Sequence, residues 1–469
     1  MNQRAYALDA LRGYAIITMV LSSSIAWGIL PAWMYHAQIP PPDHIYNPNL
    51  PGLTWVDLVF PFFLFAMGAA FPFSVGKRIE KGESHLRLLW DALSRGLQLT
   101  VFAIFIQHFY PYVLSSPQDV RSWVLALVAF ALLFPMFMRI PLKMPAWAHF
   151  GIKLFAYVMA FILLTNVKYA DGRVWSLDYS NIIILVLANM AFWGTSLYLF
   201  TRKNRWPRIV VLVCLMAIML SAGIEGSWAK AMYNFTPFPW MYKFLFLKYL
   251  FIVVPGTIAG EYLMEWITGR SVNTNKESKN ERRLSVLLLL LATVLIVLNL
   301  CLLQSRLVEI NAVATFILLV TGCVLLRKTE EGYQKLWKNL FYAGTYLLII
   351  GLCFESYEGG IKKDPSTFSY YFVTSGLAFM ALLIFNIICD YYGHIRSTRF
   401  LVMSGQNPMI AYVSSNLLIM PLLGLLGITP LLSYLSTDPW LGFLRGVIIT
   451  SLAVLVTMFF TRIKWFWRT

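Results

Sequence analysis

Charge is what this sequence has least of: Asp, Glu, Lys and Arg make up 13% of its 469 residues, where about a quarter is usual for a soluble domain. With 59% apolar residues, that scarcity excludes an ordinary soluble domain. Long hydrophilic stretches are missing too. The longest runs from Thr268 to Leu284, so no soluble domain of any size fits. The five cysteines, Cys214, Cys301, Cys323, Cys353 and Cys389, lie in apolar stretches. None forms a CxxC pair or a cluster with histidine, so neither a disulfide framework nor a zinc site follows and no metal is expected. Acids are outnumbered, 22 against 38 bases for a net charge of +16. The bases sit in short loops and form no continuous stripe, which argues against a nucleic-acid partner.

What is present is apolar length. We expect an all-α polytopic membrane protein, a single domain over residues 1–469 in a bundle of about 14 transmembrane helices (range 10–14). A span needs about 20 apolar residues. Candidates begin near Leu8, Thr54, Leu89, Trp123, Trp147, Asn181, Ile209, Lys243, Ser285, Ile310, Leu340, Ser369, Val402 and Leu441. The first carries Asp9 and Arg12, is too long for a signal-peptide core and shows no small-residue cleavage site, so it reads as a retained helix in a protein that begins near Met1. Residues 268–284 are a candidate cytoplasmic linker between an N-terminal and a C-terminal helix group. No internal repeat is evident.

With a cytoplasmic N-terminus, 26 Lys and Arg fall on the inner side and seven on the outer. By the positive-inside rule this places both termini in the cytoplasm. The outer loops then include 31–53, 226–242, 355–368 and 425–440, rich in Pro, Trp, Tyr and Asn. Such loops suit the rim of a pocket for a polar ligand, and equally an interfacial aromatic belt.

The chemistry-bearing residues concentrate in a few places. Asp57 and Pro61 interrupt an apolar span, and a passive lipid-facing helix rarely keeps either. Thr54-x-x-Asp57 is a capping box; alternatively, the carboxylate orients a histidine. His36 and His44 precede it in the 31–53 loop. A neutral imidazole there can take a proton from an attacking amine or hydroxyl and return it to a leaving group, or carry an acyl group transiently. Asp9 and Arg12 lie nearly one turn apart at the inner mouth of the first helix, as a structural ion pair or as a hold on an anionic cofactor. Asp91 and Arg95, at i and i+4, form a second candidate pair. Gly256-Thr-Ile-Ala-Gly260 permits close helix contact. Lys362 and Lys363 stand in an outer loop against the charge rule, which hints at ligand contacts. Asn407 opens a helix, as an N-cap or as a substrate partner.

Several segments together resemble the transmembrane acetyltransferase family of heparan-α-glucosaminide N-acetyltransferase and its bacterial relatives. They are Leu8-Asp-Ala-Leu-Arg-Gly13, the histidine loop followed by Gly52-Leu-Thr-Trp-Val-Asp-Leu-Val-Phe-Pro61, Ile361-Lys-Lys-Asp-Pro-Ser-Thr-Phe-Ser-Tyr370, Gly405-Gln-Asn-Pro408 and the tail Arg462-Ile-Lys-Trp-Phe-Trp-Arg468. They fall at both ends of the chain in family order. The resemblance implies a membrane acyltransferase that takes acetyl from cytoplasmic acetyl-CoA and delivers it to an amino sugar or other saccharide on the far face. It implies a homodimer, and the absence of a large lumenal domain favours the bacterial inner membrane. The loop histidine is the implied catalytic residue: His44 by its place before the Gly52–Pro61 segment, with His36 as the alternative and Asp57 as orienter. Arg12 and Asp9 are assigned to the cofactor, and Asn407, Lys362, Lys363 and Ser23 to the acceptor. Ser23 replaces an asparagine of the lysosomal member, so the acceptor is expected to differ. Without the resemblance, a transporter or flippase for an envelope saccharide or glycolipid would explain the polar residues in the spans; a structural scaffold would not.

Overall fold

A computed structural model describes residues 5–138, 145–269, 279–328 and 332–467. Among these residues there is no β-strand, and 12 helices are long and apolar enough to cross a bilayer. The 12 are α2 Trp55–Glu80, α3 His85–His108, α4 Val120–Phe137, α5 Ala146–Asn166, α6 Ile182–Thr201, α8 Phe244–Gly269, α9 Lys279–Gln304, α10 Val308–Leu325, α11 Gly332–Tyr357, α12 Phe368–Tyr391, α13 Pro408–Leu425 and α14 Pro439–Arg462. Two more fill the remaining expected positions, α1 Tyr6–Ser24 and α7 Trp206–Ser221. Neither matches the others in length and apolarity: α1 is diluted by Asp9, Arg12 and Ser22–Ser24, and α7 has only 16 residues. All 14 starts expected from the sequence are therefore occupied by helices. The linker expected over 268–284 is shortened from both sides by α8 and α9, and its residues 270–278 lie outside the described ones.

The bundle has a distinct centre. Helix α1 packs on α2, α12, α13, α14 and the short helix Arg399–Gln406, while α2 packs on α8 and α12. Glycines make these contacts backbone to backbone. A Cβ on Gly13 would lie 1.8 Å from the Leu401 carbonyl oxygen, one on Gly405 2.0 Å from that of Asp9, and ones on Gly256 and Gly260 2.2 Å from those of Phe65 and Ala69. The small residues of the Gly256–Gly260 motif thus serve packing, as such motifs do between membrane helices. Because α1 and α2 run in opposite senses, the bundle has a basic end, where Ala5 and Trp467 lie, and a loop end, where residues 25–54 and 358–367 meet.

Two prolines sit inside central helices, and each leaves a carbonyl four residues back without its helical N–H partner. In water a solvent molecule would fill the gap; in a bilayer another protein group must. For Pro61 the orphaned carbonyl belongs to Asp57, and it accepts from the Tyr370 hydroxyl at 2.9 Å. For Pro255 it belongs to Phe251, and it accepts from the Ser375 hydroxyl at 3.2 Å. Both donors are on α12. One helix therefore completes the hydrogen bonding of two neighbours, and Tyr370, buried to 1% exposure, does so beside the loop end.

The Tyr370→Phe change is expected to destabilise the protein by about 1–3 kcal/mol, the cost of an unsatisfied buried acceptor. In a Pro61→Ala background, where residue 61 regains an N–H, the same change should cost much less. Unfolding midpoints in detergent for the four proteins of this cycle measure the difference; equal costs in both backgrounds would show that the hydroxyl acts elsewhere.

Candidate active site

Helix α2 begins at Trp55, and Asp57 in its first turn is 1% exposed. Its two carboxylate oxygens have separate duties. Oδ2 accepts from the Thr54 amide at 3.1 Å, the Thr54 hydroxyl at 3.0 Å and the Ala37 amide at 3.2 Å. This ties the loop to the helix start and supplies the return half of the capping box. Oδ1 lies 2.7 Å from Nδ1 of His36. The two roles read from the sequence as alternatives are thus both filled by one side chain. A carboxylate at Nδ1 holds the proton there and leaves Nε2 unprotonated, as the acceptor nitrogen of the ring.

The third member is Lys363. Its Nζ lies 3.0 Å from Nδ1 and 3.4 Å from Nε2 of His36, and 3.8 Å from Oδ1 of Asp57. The loop that carries it is fixed on every side. Gly52 donates to the Ile361 carbonyl at 2.9 Å, and Gln38 exchanges hydrogen bonds with the Asp364 backbone at 2.5 and 2.8 Å. Tyr46 donates to the Asp364 carbonyl, and Lys248 to that of Ser366 at 3.0 Å. Glu358 receives the Phe368 and Ser369 amides, both at 2.8 Å, and so caps α12. His36 and Lys363 remain about one-third open, at 33% and 29% side-chain exposure, so this acid–histidine–amine group is accessible from the loop end.

Electrostatics follow from that crowding. Burial and the Lys363 ammonium push the His36 pKa below the ordinary 6.5, against the pull of Asp57. Burial likewise lowers that of Lys363, with Asp57 and Asp364 opposing. A depressed imidazole stays neutral, and able to accept a proton, to lower pH.

The pairing differs from the sequence expectation in one respect: Asp57 orients His36, not His44. Residue 44 has φ 51°, which turns its ring away to stack on Trp27 at 4.1 Å between centroids and edge-on to Tyr35 at 4.6 Å. Its Nδ1 is bound to the Ile39 carbonyl at 3.1 Å, and its Nε2 is buried without a partner. His44 is a loop-packing residue in this geometry.

Other expected site residues scatter. Lys362 contributes its backbone amide, which donates to the Thr367 hydroxyl at 3.0 Å. Ser23 is exposed on α1 and donates to its own helix at Val20. Asn407 lies at the opposite, basic end. Its amide donates to the Trp465 carbonyl at 2.8 Å and its oxygen receives the Trp467 amide at 3.5 Å, so it clamps the C-terminal tail instead of capping α13 or facing the loop-end site. Arg12 and Asp9 are also at the basic end, 3.9 Å apart. Arg12 donates to the carbonyls of Ala66 and Gly405 at 3.4 Å each. Asp91 pairs with Arg78, which also binds Glu83, and not with Arg95. Tyr370, Gln38 and Tyr46 escaped the sequence reading. For Tyr370 a signal existed, because a proline four residues after Asp57 demands a hydroxyl or amide from a neighbouring helix.

An all-α polytopic membrane protein with a histidine–carboxylate–amine cluster at one end is the class that fold and site define. The chain belongs to the family described as Domain of unknown function (DUF5009), whose model matches residues 4–263, more than half of its length. That match spans Arg12, His36 and Asp57 and stops before Lys363 and Tyr370. Comparison with curated proteins gives no match.

Diethyl pyrocarbonate modifies neutral imidazole. Followed at His36 by mass spectrometry against pH, its half-point is expected below pH 6.5, with Lys363→Met moving it upward because the opposing cation is gone. A half-point that does not move would show that the ring does not sense the amine.

Proposed function

We propose that this protein is a membrane acyltransferase, moving acetyl from acetyl-CoA at the basic end to an amino sugar or other saccharide at the loop end. The observation that carries the reading is the His36 ring, fixed through Nδ1 by Asp57 at 2.7 Å with the Lys363 amine beside it. It joins the resemblance drawn from the segments at both ends of the chain.

In this reading His36 Nε2 takes the proton from the acceptor's amine or hydroxyl as that group attacks the thioester carbonyl. The developing oxyanion is offset by the Lys363 cation, in the way fixed positive groups stabilise such charge. The C–S bond then breaks, and the imidazolium returns its proton to the departing CoA sulfur. Asp57 stays ionised throughout and favours the imidazolium while it lasts. Tyr370 and the loop contacts keep the carboxylate in register.

Membrane placement explains why such a reaction would need a bundle. Even one charged group at the bilayer centre costs at least about 2.5 kcal/mol, so a multiply charged nucleotide is best left at the basic end. Arg12 reaches the Ala66 carbonyl, nine residues along α2 from Asp57. At 1.5 Å per residue the two positions are about 13 Å apart along the helix. A donor that touches both must be elongated, with its anionic part at one end and its reactive part at the other. We place the basic end in the cytoplasm by the positive-inside rule and the protein in a bacterial inner membrane.

The test is thiol release from acetyl-CoA by the purified full chain given glucosamine. His36→Ala is expected to lower the rate by about 100-fold or more, the usual contribution of a positioned acid–base group. His44→Ala should stay within a few-fold of the parent. Absence of thiol release, or an undiminished His36→Ala protein, rejects the assignment. Labelled acetyl-CoA without acceptor distinguishes transfer through an acetyl-histidine from direct transfer.

A further inference from the structure

Between α9 and α10 the chain reverses over residues 305–307, and an unusual residue stands at the corner of that turn. Leu307 donates to the Leu302 carbonyl at 2.9 Å and Arg306 to that of Leu303 at 3.4 Å. These are the paired bonds of a Schellman stop, whose corner position is left-handed and usually glycine. Here it is Arg306, at φ 58°. A non-glycine residue keeps that conformation where its surroundings over-determine it. The side chain is what holds it: Nη1 of Arg306 lies 2.7 Å from Oε1 of Glu355, whose side chain is 3% exposed in the last turn of α11.

The ion pair bears on the loop that carries Lys363. The Glu355 carbonyl receives the Gly360 amide at 3.0 Å. A Cβ on Gly360 would lie 3.4 Å from Nη2 of Arg306 and 2.4 Å from Cβ of Pro51. One residue on, the Ile361 carbonyl receives the Gly52 amide, and a Cβ on Gly52 would lie 2.8 Å from Oε1 of Gln304. Gly360 and Gly52, at φ 121° and 157°, mark the point where the 358–367 loop crosses the 25–54 loop. Gln304 and Arg306 therefore press the end of α9 against both strands of chain at that crossing. One leads to Lys363, the other to Thr54 and Asp57. A glycine at position 306 would suit the turn better but would leave the buried Glu355 carboxylate uncompensated.

We propose that Arg306 is a positioning residue for the candidate active site: through Glu355 and Gly360 it holds the 358–367 loop so that the Lys363 amine stays beside the His36 ring. Its bearing on acyl transfer rests on the function proposed above; its effect on the His36–Lys363 geometry does not.

The readout is the pH half-point of His36 modification by diethyl pyrocarbonate in the full chain. The charged groups facing His36 are Asp57 and Lys363, and Asp364 faces Lys363 in turn. When Lys363 withdraws, its repulsion of the imidazolium is lost and the half-point rises. Arg306→Gly, which suits the left-handed turn, and Glu355→Gln are each expected to give most of the rise of Lys363→Met, and neither to add to it in a Lys363→Met background. Arg306→Lys, which keeps the pair, should stay near the parent. Through-space charge alone gives the opposite sign for Glu355→Gln, because losing an anion lowers the half-point. Unchanged half-points, opposite signs in the two variants, or a further rise in the Lys363→Met background overturn the proposal. Where Glu355→Gln does not fold, Arg306→Gly with and without Lys363→Met decides it. Thiol release from acetyl-CoA with glucosamine is read in parallel, where Arg306→Gly is expected to lower kcat about tenfold with KM little changed, as a misplaced reacting group does. An unchanged kcat overturns the role in transfer. A parent protein that releases no thiol removes the transferase reading, while the half-points still decide the positioning.

Discussion

The loop-end architecture depends on one carbonyl that has no partner in its own helix. Pro61 deprives Asp57 of the usual main-chain donor, and the membrane interior offers no water to replace it. Tyr370 on α12 meets that need, and so fixes the distance and rotation between two central helices where the carboxylate begins its work. The side chain of the same residue then ties down the loop with one oxygen and a histidine with the other. Backbone and side chain of Asp57 together join α2, α12 and the loop between α1 and α2.

This concentration of roles explains why the cluster can remain partly open without becoming loose. His36 and Lys363 are held by segments far apart in sequence, and neither segment is free to move alone. Gln38 reaches the Asp364 backbone, Gly52 meets Ile361, and Lys248 meets Ser366. Rigid placement is what an acid–base residue requires, because proton transfer is efficient only at hydrogen-bond distance. The same crowding keeps His36 neutral, so positioning and basicity arise from one set of contacts.

Much of the fold was legible because helices in a bilayer must be long and apolar, and every expected start coincides with a helix. Even α1, diluted by charge, and α7, the shortest of the fourteen, were legible from apolar length. Asp57 and Pro61 stood out as costly residues, and the glycines of α8 as packing devices. The choice between His36 and His44 was not legible, since it turns on a left-handed backbone at residue 44 and on stacking against Trp27, neither written in spacing along the chain. Asn407 misled because a polar residue at a helix entrance looks alike whether it serves a ligand or a tail. The Asp91–Arg95 expectation failed for a related reason: helical spacing permits a pair, but Arg78 at the end of α2 offers Asp91 a better one.

The hydroxyl bridges from α12 have a mechanical consequence. Ser375 and Tyr370 act on α8 and α2, and glycines bring the backbones of α2 and α8 into direct contact. Sliding any of these three past another would strip a carbonyl of a hydroxyl donor in a medium that cannot supply a substitute. They form a stator: the three helices keep their mutual register as one body.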